Sequence, residues 1–183
     1  MFLFTRQRDA LFLLFFGSLF PAFSVSATNS VTVNFQASFY TRTCKVDVSE
    51  PLIEFGNVQA SNIIKNDAGQ IDALNRDIIL TLRECTGPGN LGSSSVTVTG
   101  NTVTTNGQRL FKDIGSSTGV GIKLVSDGVT KTTGDKVWTL TSSSEENDQH
   151  TVTASLSCGG CLNSNVIGMG DFQASMTFTV IAN

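Results

Sequence analysis

Residues 171–182 read Asp171-Phe172-Gln173-Ala174-Ser175-Met176-Thr177-Phe178-Thr179-Val180-Ile181-Ala182, and every second position from Phe172 to Val180 is apolar while those between are polar. Successive side chains of a strand point to opposite faces, so a period of two marks a strand with one buried face. The same period is cleanest near the other end, where Val31, Val33, Phe35, Ala37 and Phe39 alternate with Thr32, Asn34, Gln36 and Ser38. Between these ends, Ile78, Leu80 and Leu82 run up to Cys85, and Val96 and Val98 precede the turn Gly100-Asn101. Further strands are expected over residues 119–125, closed by Asp127-Gly128, and over 137–140, 152–156 and 171–181. Each is bounded by Gly, Asn, Asp or Ser, the residues that punctuate strands. Residues 59–77 carry no clear period and fit either a short helix or a loop. Tandem repeats and a long helical period are missing, and many short strands at this spacing predict a β-sandwich.

The first 27 residues read as an export signal outside that sandwich. Arg6 and Arg8 form a basic start, residues 10–20 are almost wholly apolar, and Val25-Ser26-Ala27 makes a small-residue cleavage site after Pro21. A membrane anchor is the alternative, but the apolar core falls short of the roughly 20 residues a spanning helix needs. Cutting after Ala27 leaves 156 of the 183 residues, a common size for one domain. The remainder carries 10 basic and 14 acidic residues, and no basic patch points to nucleic acid. Seven of the thirteen Phe residues fall in the signal, so the core must rely on Val, Ile and Leu, which suit strands.

All four cysteines, Cys44, Cys85, Cys158 and Cys161, follow the signal, and an exported chain meets an oxidising compartment where two disulfides are expected. Four cysteines allow three pairings. Cys158-Gly159-Gly160-Cys161 holds two thiols close together on a flexible turn, which favours their union and leaves Cys44 with Cys85. Closing that loop of about 40 residues stabilises the fold by roughly 4 kcal/mol on the chain-entropy estimate. Thiol-disulfide exchange at this motif is disfavoured, because such centres sit at a helix start in a βαβ unit and strands flank this one. Zinc would need two further ligands.

The inventory for catalysis is thin. The one histidine, His150, follows the polar run 142–149 and reads as a solvated surface imidazole. Glu145, Glu146 and Asp148 read as a solvated acidic loop. With no Gly-x-Ser-x-Gly elbow, phosphate loop or metal-ligand cluster in the sequence, neither enzyme activity nor a cofactor is expected.

Five segments carry a resemblance to the type 1 fimbrial subunits of chaperone-usher pili. Ile78-x-Leu80-x-Leu82-x-x-Cys85 resembles the family's second-strand signature, with Cys44 at the position of the disulfide partner. Thr118-Gly-Val-Gly-Ile-Lys-Leu124 is similar to its mid-chain motif, and Thr153-Ala-Ser-Leu156 to its late strand. Gly170, Phe172, Ala174, Met176, Phe178 and Val180 resemble its chaperone-binding strand, and Thr32-Val-Asn-Phe35 its N-terminal donor strand. Together the matches span nearly all of the exported chain, and their order is what makes them specific.

The resemblance implies an all-β, incomplete immunoglobulin-like β-sandwich that lacks its last strand and is completed by donor-strand exchange. Residues 28–41 would be the donor extension and 42–183 the pilin domain. A periplasmic chaperone first fills the open groove; at an outer-membrane usher the next subunit's extension replaces it, as strand addition with alternate side chains entering pockets. On this mapping Val31, Val33, Phe35 and Ala37 enter a neighbour. Residues 170–183 border the subunit's own groove, with the carboxylate of Asn183 an anchor for basic chaperone residues. The implied product is a surface fimbria that supports cell adhesion. The alternatives are a minor tip adaptor and a single-domain adhesin with a host receptor; a complete sandwich in which residues 31–39 pair within their own chain is the bland reading of the same alternation. Two positions depart from the family pattern: Ala182 stands where Tyr is usual, and Val31 where Gly is common. The Cys-Gly-Gly-Cys segment is an addition to it, expected to staple the loop before the last strand.

Overall fold

Alternating patterns with one apolar face need a second such face to cover them, and here two antiparallel sheets supply it to each other. The computed structural model describes residues 34–37 and 41–182. Residues 34–37 belong to a separate unit and carry no regular secondary structure. The expected signal, Val31, Val33 and Phe39, and Asn183 lie outside the described residues.

Residues 41–182 form β1 (Thr43–Val48), α1 (Ala60–Asp67), β2 (Asn75–Thr86), β3 (Ser94–Thr99), β4 (Thr102–Thr105) and β5 (Gln108–Phe111). They continue through β6 (Gly121–Ser126), β7 (Val129–Lys131), β8 (Lys136–Thr139), β9 (Gln149–Ser157) and β10 (Thr177–Ala182). The larger sheet runs β1-β2-β9-β6-β5-β4, with β7 paired to β6; the smaller runs β10-β3-β8. Leu80, Leu82, Val96, Val98, Leu124 and Val152 from the two sheets are fully buried together. Each contributes on the order of 1.5–3 kcal/mol by leaving water. The Cys44–Cys85 disulfide ties β1 to β2 across 41 residues of sequence.

Residues 59–77 resolve into α1 and a loop. An eight-residue helix is too short to persist alone in water, so packing must hold it. Ile63 is buried in the core, and the buried Asn66 amide donates to Asn75 Oδ1 at 2.9 Å while its oxygen accepts from the Leu74 amide at 3.1 Å. The helix is thereby fastened to the start of β2.

Three expectations are corrected. The hairpin of β4 and β5, absent from the strand pattern, turns at Asn106-Gly107 with φ of 48° and 81°, the left-handed pair that suits a two-residue hairpin. Its four-residue strands are too short to display a period. The short strand β7 likewise follows β6 through Asp127-Gly128. Finally, the last strand begins its ladder only at Thr177, not at Asp171, because its partner β3 stops at Thr99 before Gly100.

Candidate functional site

The two sheets meet along one side at two strands that do not pair. β1 is bonded only to β2, β10 only to β3, and the two lie next to each other at the edges of different sheets. Among the described residues no strand takes up either free edge. A sandwich of this kind leaves an apolar seam, because the inward side chains of both edge strands lack a cover.

Every apolar residue of the C-terminal alternation lies on that seam. Phe172, Ala174, Met176, Phe178 and Val180 are half-buried against the core, while Gln173, Ser175, Thr177 and Thr179 between them are exposed. Opposite them stand Val46 and Val48 of β1, also half-buried, followed by Ile53 and Phe55. The sequence reading missed this second wall, although Val46-Asp47-Val48 carries the same period in miniature. Just outside the seam, Lys45 Nζ lies 2.5 Å from Glu84, and that hydrogen bond raises the lysine above its ordinary pKa of 10.5. Gly170 enters the wall with φ of +131°, which disfavours any side chain there.

The wall is held in two ways. Residues 177–182 form a regular ladder with β3. Residues 171–176 have no strand partner and lie instead against the loop 113–117. The Asp113 amide donates to Gln173 O at 2.9 Å and the Ser117 amide to Asp171 O at 2.8 Å. Ser116 Oγ accepts from the Gln173 amide at 2.5 Å and donates to its carbonyl at 3.0 Å. The Asp113 carboxylate accepts from the Ser175 amide at 3.3 Å and from its hydroxyl at 2.8 Å. Among the described residues the backbone groups of Phe172, Ala174 and Met176 make no hydrogen bond. In extended chain, residues of one parity direct their N–H and C=O to one edge. The residues that put side chains into the seam therefore also present their backbone to its open edge.

Of the expected donor residues, Phe35 and Ala37 fall within the description. Both are exposed, Phe35 at 93%.

Away from the seam, Cys158 and Cys161 are bonded to each other and buried. Gly159 and Gly160 adopt φ of 74° and 77°, which lets the amides of Cys158 and Gly160 converge on one anion while that of Gly159 donates to Ser157 Oγ. That anion is the carboxylate of Asp67, whose side chain is 3% exposed: its Oδ2 accepts from the Cys158 amide at 2.9 Å and the Gly160 amide at 3.0 Å. Lys123 Nζ lies 3.9 Å from the other oxygen. The disulfide loop thus pins the end of α1 to the end of β9.

His150 is not the solvated imidazole expected from its polar surroundings; its side chain is 17% exposed. It stacks on Trp138 with centroids 5.4 Å apart, and Nε2 lies 2.9 Å from Ser126 Oγ and 3.8 Å from Asp127. Ser126 Oγ also lies within hydrogen-bonding reach of the Val137 carbonyl and, at 3.5 Å, of Asp127 Oδ2. Asp127 faces the same ring nitrogen as Ser126 and so does not orient the ring from Nδ1. Trp138 in turn packs against the core.

The family model described as Fimbrial protein matches residues 25–182. The crystal structure of the P pilus rod subunit PapA is similar over 84% of this chain and 100% of its own, at 19% identity and a TM-score of 0.55. A structure of a chaperone-usher pilus, concerned with the molecular basis of rod uncoiling, is similar over 85% of this chain and 97% of its own, at 18% identity and a TM-score of 0.47. No curated protein matches.

Proposed function

From the premise that this chain belongs to the fimbrial protein family, we propose that it is a structural subunit of a chaperone-usher pilus, polymerising by donor-strand complementation. The observation that carries the reading is the seam: five half-buried apolar side chains at alternate positions along a free strand edge, with the backbone of three of them unpaired. An extended segment laid there forms main-chain bonds on its edge and buries alternate side chains, the two components of strand addition. Residues 31–37 have that alternation, with Val31, Val33, Phe35 and Ala37 as the inserting set. A seam of this kind invites aggregation until it is covered. A periplasmic chaperone covers it first, and at the outer-membrane usher the extension of the next subunit takes its place. The fibre so built stands on the cell surface and supports adhesion.

The test compares the protein with a form lacking residues 28–37, each co-expressed with the cognate chaperone. Both forms are expected to be captured by the chaperone, and only the longer to insert into a second subunit and polymerise. A longer form that is a stable monomer without chaperone, beside a shorter form that unfolds, would mean that the extension completes its own domain.

A further inference from the structure

The wall of the seam changes its support halfway along, and the change falls where β3 ends. Up to Thr177 from the C-terminal side, a ladder fixes which residues face inward. Residues 171–176 have no such ladder. A slip of one residue in extended chain sends every side chain to the opposite face. Here it would place Gln173 and Ser175 in the seam and turn Phe172, Ala174 and Met176 outward, with their free backbone groups.

We infer that Asp113 and Ser116 fix the parity of residues 171–176, and so decide which side chains and which backbone groups the seam offers to an incoming strand. This rests on the strand-complementation reading above. Ser116 Oγ holds both backbone groups of Gln173, and the Asp113 carboxylate holds the amide and hydroxyl of Ser175. Both grip only odd positions, which is what a neighbouring strand would do. Asp113 and Ser116 are positioning residues: neither lies in the seam. Gly100 gives independent support, since a Cβ there would stand 2.4 Å from Ser175 O, and only a residue without one lets the wall pass this close.

The test uses the protein purified with its chaperone, a synthetic peptide of residues 28–41 as the incoming strand, and amide hydrogen exchange. The variants are Asp113→Ala with Ser116→Ala, and Asp113→Asn, which keeps an acceptor for the Ser175 amide. In the double variant, protection of the Gln173 and Ser175 amides is expected to fall about tenfold or more, and peptide capture to slow by a similar factor. The amides of Thr179 and Ile181, which the ladder holds to β3, keep their protection, and Asp113→Asn stays near the parent. Equal capture and equal protection in parent and double variant would overturn the inference. So would protection lost evenly along β10, the mark of a merely structural role. Capture by neither protein overturns the strand-complementation reading itself, an outcome separate from equal capture by both.

Discussion

Asp67 shows how far one residue's role depends on where the chain takes it. In sequence it is one carboxylate among several after a short apolar stretch; in the fold it is buried and cradled by the amides of the Cys-Gly-Gly-Cys loop. Left-handed glycines at two successive positions make that cradle, and Gly159 has a further constraint, since a Cβ would stand 2.2 Å from Thr105 O. Removing the acceptor leaves the Cys158 amide without its partner. Asp67→Ala is therefore expected to lower stability by about 1–3 kcal/mol, measured as a shift of the urea midpoint at unchanged slope. The His150 misreading has the same origin: its sequence neighbours are polar, but β9 alternates and puts the ring on the inner face beside Trp138.

Among the elements, the strands with several alternating apolar residues were legible and the short ones were not. β2, β3, β6 and β9 bury apolar side chains at every second position, which is a signal that the order of residues displays. β4, β5 and β7 have three or four residues each, too few to show a period, and were betrayed only by Asn106-Gly107 and Asp127-Gly128 at their turns. The last strand was over-extended for a different reason. Its alternation persists to Phe172, but a ladder needs a partner, and β3 turns away at Gly100. Gly100→Ala would push a methyl group against Ser175 O and Phe111, so a loss of roughly 1–3 kcal/mol is expected, together with faster exchange at Ser175 than at Thr179. Thermal melting and hydrogen exchange together check both parts.

At the scale of the whole molecule, a seam along one side means that stability depends on what lies in it. A ligand that binds only the folded state stabilises by mass action, about 2.7 kcal/mol at a hundredfold excess over its Kd. The peptide of residues 28–41 is thus expected to raise the melting temperature by roughly 5–10 °C at that excess. Phe178→Asp should abolish the rise by setting an unpaired charge in the seam. A peptide with Val33 and Phe35 replaced by Asp should fail on the parent protein for the same reason. Differential scanning calorimetry reads all three, and a rise with the substituted peptide would show that the seam is not the binding surface.

The sequence by itself determined the all-β class and the faces of the longer strands, because each follows from local period; it favoured one of three cysteine pairings, and the structure decided it. Five ordered motifs carried the family resemblance. Only the tertiary structure decided that β1 supplies the second wall, that loop 113–117 replaces a strand beside residues 171–176, and that Asp67 closes on the disulfide loop. These are pairings between segments far apart in sequence. They depend on which edges the sheets leave unpaired, and an edge is a property of the assembled sheet that no single segment encodes.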